Sequence, residues 1–395
     1  MPPPIVGERR PFLIARDVSV ETIDAECLWV GDDLALWMDR ITAGGGDIAP
    51  AVRDDVGARF EGTVLPRHRL YFGEESDLNS DGVVSVLFSP IVSDTATAYF
   101  SPCDLFDAAA LPLGCDYSNE QEMVYMTPPD MLGPPMNSAR AIVATMAHEV
   151  QHLVYFHRKV IRNSLGAGGE NAYLVEGWAS LGEDVSGYGL GTFFVAREGL
   201  TRSDDFGAIE VLRSGAGYNP SRDGMLRGAA YLFVRYAFDR VGGDAIAPDG
   251  TISDLGGIAW SRTAVDSPHQ GSRNFENTVG VAIDDLVFDW FTALMMTGRS
   301  GSDGRPLPVE SRFSYGRRVQ DPVTTFHRGF DPYGSQFGMT LTGPATTTLA
   351  RMDRTIPATG SEIILVDADG SGREMTVRVT GDDLASLRVR VARLR

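Results

Sequence analysis

The sequence has few cysteines and few histidines, and it has no excess of positive charge. Its 395 residues include three cysteines and six histidines, with no C-x-x-C pair and no zinc-finger spacing. The formal net charge is -18, from 35 Lys and Arg against 53 Asp and Glu, which argues against nucleic acid or an anionic membrane surface as a partner. No apolar run approaches the roughly 18–20 residues that a membrane-spanning helix needs, so we predict no integral membrane segment.

The remaining composition is that of an ordinary folded protein, with 43% hydrophobic and 22% charged residues. Short strand-like runs come first, longer helical patterns follow, and runs of period two return at the end. This order predicts an α+β protein. We divide it into an N-terminal arm (1–26), a mostly β region (27–136), a helical region (137–336) and a small C-terminal β-sandwich (337–395).

Three apolar runs in the first half are bounded by Gly, Pro, Asn or Asp, a pattern typical of strands. They are HRLYFG (68–73), VVSVLFSP (83–90) and EMVYMT (122–127). The last run is followed by the breaker PPDMLGPPM, which leads into a strongly helical segment. We predict that EMVYMT forms an edge strand, with an internal strand as the alternative.

The strongest motif is H-E-x-x-H, which runs from His148 to His152. Apolar residues at helical spacing surround it, and Asn137 or Ser138 is a suitable N-cap, so we predict a helix that ends near residue 160. Residues four apart lie on one face of a helix, so both imidazoles can reach one metal ion. The intervening Glu149 can then reach the open coordination position as a general base.

A catalytic zinc site needs a third protein ligand. Glu176 is the candidate, because it lies 24 residues after His152 in a second predicted helix (172–185) that can fold back beside the first. Glu183 is two turns further along the same helix face, and it can hold the second nitrogen of a ligating imidazole. Asp184 is the alternative for this role. Two further helices are predicted, at 224–241 and 283–297.

The stretches HEVQH and VEGWASLGED resemble the gluzincin metallopeptidases, whose third ligand is a Glu in an E-G-x-A-type helix. DLNSDGVVSVLFSP, SNEQEMVYM and RGAAYLFVRYAFDRVGG extend a closer similarity to the hyicolysin-like bacterial zinc peptidases over residues 64–243. The resemblance implies a zincin-like fold and a zinc-dependent peptidase that acts on peptides or proteins. It also implies export, so we expect that a signal sequence has been removed from the chain.

Two features leave the activity open. Related aminopeptidases carry an oxyanion-stabilising Tyr three residues before the Gly of the third helix, and Met225 stands at that position here. Tyr218 or Tyr231 can substitute. The G-x-M-E-N signature for binding a free N-terminus is absent, which favours an endopeptidase that pairs peptide with the EMVYMT edge. The alternative is a catalytically inactive binding protein that retains the fold.

Two smaller features lie outside the main motif. The turn of Asp77, Asn79 and Asp81 has the spacing of the first ligands of an EF-hand loop, but position twelve is Phe88 rather than Glu. We interpret it as either a tight acidic turn or a weak calcium site. Cys103 and Cys115 lie in one acidic loop and can form a disulfide in an oxidising compartment; free thiols are the alternative.

Overall fold

The structure is a computed structural model that describes residues 1–16, 19–42, 46–165, 170–213, 219–301, 303–348, 356–366 and 386–392. Its N-terminal part forms a six-stranded mixed sheet in the order β1-β2-β3-β4-β6-β5. The strands are β1 (Arg9–Arg16), β2 (Ser19–Val30), β3 (Leu34–Asp39), β4 (Val84–Phe88), β5 (Ala98–Phe100) and β6 (Met123–Met126). β1 to β3 form an antiparallel meander, β4 and β6 run parallel to β3, and β5 is antiparallel to β6.

The predicted N-terminal arm is wrong, because residues 9–16 and 19–26 belong to strands of the sheet. Phe12 and Ile14 alternate with more exposed residues along β1, and both are buried on the face that also carries Ile23 of β2. Pro11 does not interrupt the strand. It lies at the free edge of the sheet, where proline is tolerated because its missing N–H is not needed by a second neighbour.

The run HRLYFG is helical rather than extended. Helix α1 (Pro50–Arg59) continues through a π-helical turn (Phe60–Val64) into α2 (Leu65–Phe72). Leu65, His68 and Phe72 are all fully buried, and their spacing puts them on one helix face. The His68 ring lies between the carbonyl oxygens of Val64 and Ala147, each 2.9 Å from a ring nitrogen. This histidine therefore joins α2 to the helix that carries the motif.

EMVYMT forms β6, but β6 is an internal strand and the prediction that it forms the edge is wrong. The edge position is taken by β5, a strand of three half-buried residues. Tyr99 of β5 stacks on Tyr125 of β6 with ring centroids 4.7 Å apart. A strand this short gives too weak a sequence pattern to be recognised.

The predicted helices at the motif and downstream are confirmed. Ser138 caps the motif helix α3 (Ala139–Tyr155), its side chain accepting from Ala141 N, and a π-helical turn (Phe156–Ile161) extends it. The other predicted helices are α4 (Ala172–Ser186), α7 (Asp223–Arg240) and α10 (Ile283–Met296). The described residues also contain four helices that the sequence pattern does not predict: α5 (Leu190–Thr201), α6 (Ile209–Leu212), α8 (Gly257–Asp266) and α9 (Gly271–Val279). Within the described ranges no helix is long and apolar enough to cross a membrane.

Short strand pairs connect and follow the helices. They are β7 (Asp244–Ile246) with β8 (Ile252–Asp254), β9 (Val319–Gln320) with β10 (His327–Arg328), β11 (Ser335–Gln336) with β12 (Met339–Thr340), and β13 (Thr347–Thr348) with β14 (Ile364–Leu365). Much of the predicted C-terminal sandwich lies outside the described residues, so that domain remains a prediction. Of its described part, Ala345 N donates to Ser203 Oγ at 3.1 Å, and Gly207 forms a β-bridge with Gly360.

A buried ionic network fastens the β9–β10 hairpin to the N-terminal half. Asp321 is fully buried and accepts from Arg67 of α2, which also donates to Ser186 O at 2.8 Å. Arg328 donates hydrogen bonds from Nη2 to the Tyr71 hydroxyl and to the Asp244 carboxylate. The β9–β10 hairpin therefore acts as a clamp across α2 and α4.

We predict that Asp321→Ala lowers the stability of the protein by about 3–5 kcal/mol, because it leaves the buried Arg67 guanidinium without its carboxylate. Urea unfolding followed by fluorescence measures the loss. Asp303→Ala is the control, since the side chain of Asp303 is 56% exposed, and it should change stability by less than about 0.5 kcal/mol. Equal urea midpoints for the two variants would show that the Arg67–Asp321 ion pair does not hold the hairpin in place.

Candidate metal centre

Helices α3 and α4 bring three potential metal ligands together. His148 and His152 are one turn apart on α3, and Glu176 faces them from α4. Glu176 Oε2 lies 3.1 Å from His148 Nε2 and 3.8 Å from His152 Nε2. One ligand atom from each of the three residues lies within 4.8 Å of the others, and no second group of three His, Cys, Asp or Glu does so in the described part of the chain.

The packing of α4 fixes the position of Glu176. The residue after it, Gly177, touches α7 so closely that a Cβ there would lie 2.8 Å from the carbonyl carbon of Ala230. The next residue, Trp178, is fully buried and stacks on Tyr155 of α3 with ring centroids 5.9 Å apart. Because two adjacent side-chain positions are held against two different helices, α4 cannot slide or rotate without breaking these contacts.

Glu183 lies where it can orient His148. Its Oε1 is 2.8 Å from His148 Nδ1, and its Oε2 accepts from Thr192 N at 3.1 Å. A carboxylate at Nδ1 keeps a proton on that nitrogen, so Nε2 is the nitrogen that can bind a metal once it has lost its own proton. Although burial lowers the pKa of His148, its hydrogen bonds to Glu176 and Glu183 raise that pKa well above its usual value. Metal binding at this ring therefore releases a proton.

His152 and Glu149, the other two motif residues, differ from His148 in how burial shifts their pKa values. Burial lowers the pKa of His152 to about 4, so this imidazole is neutral at neutral pH and its lone pair is available to a metal. Burial also raises the pKa of Glu149 to about 7. Glu149 is 8% exposed, and no described residue forms a hydrogen bond with its carboxylate. The carboxylate can therefore accept a proton from a neighbouring water.

The donor set fits a zinc ion. Two imidazole nitrogens and one carboxylate oxygen are the protein ligands of one class of catalytic zinc site, in which a fourth position stays open to water or substrate. The Nε2 atoms of both histidines lie on the Glu176 side of the site, which is the arrangement that a shared ion requires. The hydrogen bond between Glu183 and the Nδ1 atom of His148 is the outer contact that such sites use to hold a ligating ring.

Two predicted residues are bonded elsewhere. Asp184 does not face the histidines, because it follows Glu183 and lies about 100° further around the helix. Its oxygens accept from Arg235 at 2.9 Å, from Tyr231 at 3.2 Å and from Gly329 N at 2.8 Å. The prediction of Asp184 as an alternative acceptor is therefore wrong. Tyr231 is buried with its hydroxyl on Asp184, so it has no hydrogen bond to the ligand group, and Tyr218 lies outside the described residues.

Sequence reasoning missed Arg227, which contacts the site. This α7 residue donates from Nη1 to Glu176 Oε2 and from Nε to Asp223 Oδ1, the latter at 2.7 Å. The Asp223–Arg227 pair has i,i+4 spacing, but such pairs are usual on helix surfaces and do not identify a site. Arg227 lies where α7 meets α4, next to the close approach of Gly177 to Ala230, and the sequence pattern does not reveal this contact between helices.

The remaining predicted residues lie in the β region. Cys103 and Cys115 are joined by a disulfide in the β5–β6 connection, with Cα atoms 5.5 Å apart. The turn that contains Asp77, Asn79 and Asp81 connects α2 to β4 and forms side-chain hydrogen bonds with its own backbone.

Part of the chain is similar to a known protein. The chain is 30% identical to the neutral metalloprotease ShpI of Staphylococcus hyicus over 139 residues, which are 33% of this chain and 30% of the relative. The matched segment thus spans less than a third of that relative's length. No protein-family model matches the chain. The similarity supports a relationship to metalloproteases, and the mixed α/β architecture with its His-His-Glu group is compatible with one.

We predict that Glu183→Ala weakens zinc binding about 10–100-fold, because His148 loses the acceptor that orients its ring. Competition with a chromogenic zinc chelator measures the affinity. Glu183→Gln keeps an acceptor oxygen and should lose less. The exposed Glu198 on α5 provides the control variant Glu198→Ala. Zinc affinity that is the same in Glu183→Ala and Glu198→Ala would show that Glu183 does not support the metal centre.

Proposed function

We propose that the chain is a zinc-dependent endopeptidase of the hyicolysin-like gluzincin type, exported by its host. The observation that carries the proposal is the convergence of His148, His152 and Glu176 within 4.8 Å, with Glu149 between the two histidines on the same helix. The partial similarity to a protein named a neutral metalloprotease supports a peptide or protein as the substrate.

In this proposal the residues have separate tasks. Zinc, when bound, supplies a Lewis acid and lowers the pKa of its bound water to about 7. His148, His152 and Glu176 hold the ion, and Glu183 holds the His148 ring. Glu149 takes the proton from the attacking water and passes it to the leaving amine, a task for which a buried carboxylate with a pKa near 7 is well matched.

Arg227 is the proposed oxyanion-side residue. It puts a permanent positive charge against the Glu176 carboxylate, at the margin of the ligand group. We propose that this charge faces the attacked carbonyl oxygen, on which negative charge develops during the reaction. Met225 and Tyr231 are both buried, and the Tyr231 hydroxyl is bonded to Asp184. Among the described residues of α7, Arg227 is therefore a better replacement for the tyrosine expected at position 225 than Tyr231 is.

The sheet edge offers a place for an extended substrate. β5 is the edge strand beside the metal-centre helix, and Phe100 of β5 packs near Phe156 at the end of α3, with ring centroids 6.1 Å apart. A peptide that pairs with the outer side of β5 would lie along the site without needing a free terminus. This geometry favours cleavage within a chain.

Arg227→Met should lower kcat by about 10²–10³-fold, because it removes the charge next to the developing oxyanion. The zinc content should stay near one ion per chain, which excludes simple loss of the site, and KM should change much less than kcat. Arg227→Lys should recover part of the rate. Arg197→Met, at an exposed position of α5, is the control. Retention of the full kcat in Arg227→Met would remove Arg227 from the mechanism.

The proposed activity itself is tested by Glu149→Gln. The wild-type protein should cleave casein and a library of internally quenched peptides, while Glu149→Gln should bind zinc equally well and lose at least about 10³-fold in rate, since no general base remains. Glu198→Gln should behave as the wild type. A wild-type protein that binds zinc but cleaves none of these substrates would instead favour the inactive binding protein with a zincin-like fold.

A further inference from the structure

We propose that the turn between α2 and β4 is a calcium-binding site, separate from the metal centre, in which Glu122 supplies a ligand that the turn itself lacks. The turn contributes Asp77, Asn79 and Asp81, whose spacing matches the first three ligands of an EF-hand loop. The EF-hand loop takes its last carboxylate from position twelve, which is Phe88 here. Here Glu122, the residue immediately before β6, would supply that carboxylate.

The turn already has the fold that such a loop needs. Gly82 adopts φ +77°, a conformation that residues with a Cβ rarely take, and a Cβ there would meet no neighbour. Gly82 N donates to Asp77 Oδ1 at 3.2 Å, and Val83 N donates to Asp81 Oδ1 at 3.1 Å. These bonds draw the two carboxylates towards the same short stretch of backbone, and Asp81 is 4% exposed.

The buried carboxylate of Glu122 indicates that the turn binds a ligand. The residue is 1% exposed, and its Oε1 accepts from Leu78 N of the turn at 3.0 Å. Its Oε2 is buried and has no hydrogen-bond partner in the described part of the protein. Burial raises the pKa of Glu122, and the nearby charge of Asp77 acts in the same direction. The Ser76 hydroxyl and the Leu78 N–H act in the opposite direction and lower this pKa. Ser76 Oγ is buried, like Glu122 Oε2, and neither atom has a partner in good hydrogen-bond geometry among the described residues.

A cation would satisfy the unpaired oxygen. A buried carboxylate oxygen without a partner is costly, and the cost is removed when a positive ion binds to it. Carboxylate, amide and backbone oxygens are the ligands of Ca²⁺, which accepts six to eight of them in a flexible arrangement. A recess of about 230 Å³ opens on the Asp77 side of the turn and would admit water to the shell there; it is lined by Arg69, Glu74, Glu75, Ser76, Asp77, Gly82 and Val83. The Arg69 guanidinium in this lining is paired with Asp33 and Glu75.

The affinity should be low. Asp77, Asp81 and Glu122 are not gathered as tightly as the metal-centre ligands, which form the one group within 4.8 Å found in the described ranges. Asp81 Oδ2 accepts from Asn79 Nδ2 at 2.9 Å, so the Asn79 amide must turn to present its oxygen to the ion. This rearrangement opposes binding, and we expect a dissociation constant of about 10⁻⁴–10⁻³ M, the range of extracellular calcium modules.

The experiment is a CaCl₂ titration of the zinc-loaded full chain carrying Glu149→Gln, which prevents self-cleavage from affecting the result. Thermal unfolding and isothermal titration calorimetry provide two readouts. We expect a saturable rise in unfolding temperature of about 2 °C at 10 mM Ca²⁺, with half-saturation at about 0.1–1 mM and a much weaker response to MgCl₂.

Three variants in the same background locate the site. Glu122→Gln and Asp81→Asn should each abolish the response to calcium. Glu122→Gln should in addition raise the unfolding temperature in calcium-free buffer, because it replaces a buried unpaired carboxylate by a neutral amide. Glu120→Gln is the matched control, since Glu120 is exposed and lies two residues away, and it should retain the full response.

The proposal is overturned by any of three results. They are the absence of saturable calcium binding, an equal response to Mg²⁺, and a response that survives both Glu122→Gln and Asp81→Asn. None of these results bears on zinc binding or peptide cleavage, so the proposed peptidase activity stands or falls separately.

Discussion

The imidazole of His148 is held between two carboxylates of a single helix, and the rest of the candidate site depends on this contact. Glu183 lies at Nδ1 and Glu176 faces Nε2, both from α4. The seven-residue separation of the two glutamates is close to two helical turns, so one face of α4 serves both nitrogens. A shift of α4 by one residue would remove the proposed orienting acceptor and the proposed third ligand together.

The packing around α4 is therefore part of the chemistry. Gly177 admits α7 to close contact, Trp178 anchors α4 against α3, and the Arg67–Asp321 ion pair joins the end of α4 to the hairpin beyond α10. The same approach of α7 brings Arg227 to Glu176. Gly177 and Trp178 directly follow Glu176, so a shift in their packing against α7 and α3 also moves the proposed third ligand.

Periodicity is a sufficient guide to the long helices. α3 and α4 have clear caps and apolar faces, and helical spacing puts the two histidines on one face of α3 and the two glutamates on one face of α4. That these two faces meet is a property of the fold that the spacing does not contain. Periodicity did not identify the short elements. α2 was mistaken for a strand because its six-residue apolar run fits either structure, and β5 is too short to give a pattern. Arg227 and Glu122 could not be found, because their importance arises from contacts with distant segments.

We propose that one zinc ion binds to the Nε2 atoms of His148 and His152 and to Glu176, with a fourth position open. Anomalous diffraction at the zinc edge from crystals of the zinc-loaded protein tests it most directly. We expect one strong peak about 2.0–2.1 Å from both Nε2 atoms and about 2.0–2.2 Å from a Glu176 oxygen, with water as the remaining ligand. A peak that lies away from Glu176, or that is bound through an Nδ1 atom, would contradict it.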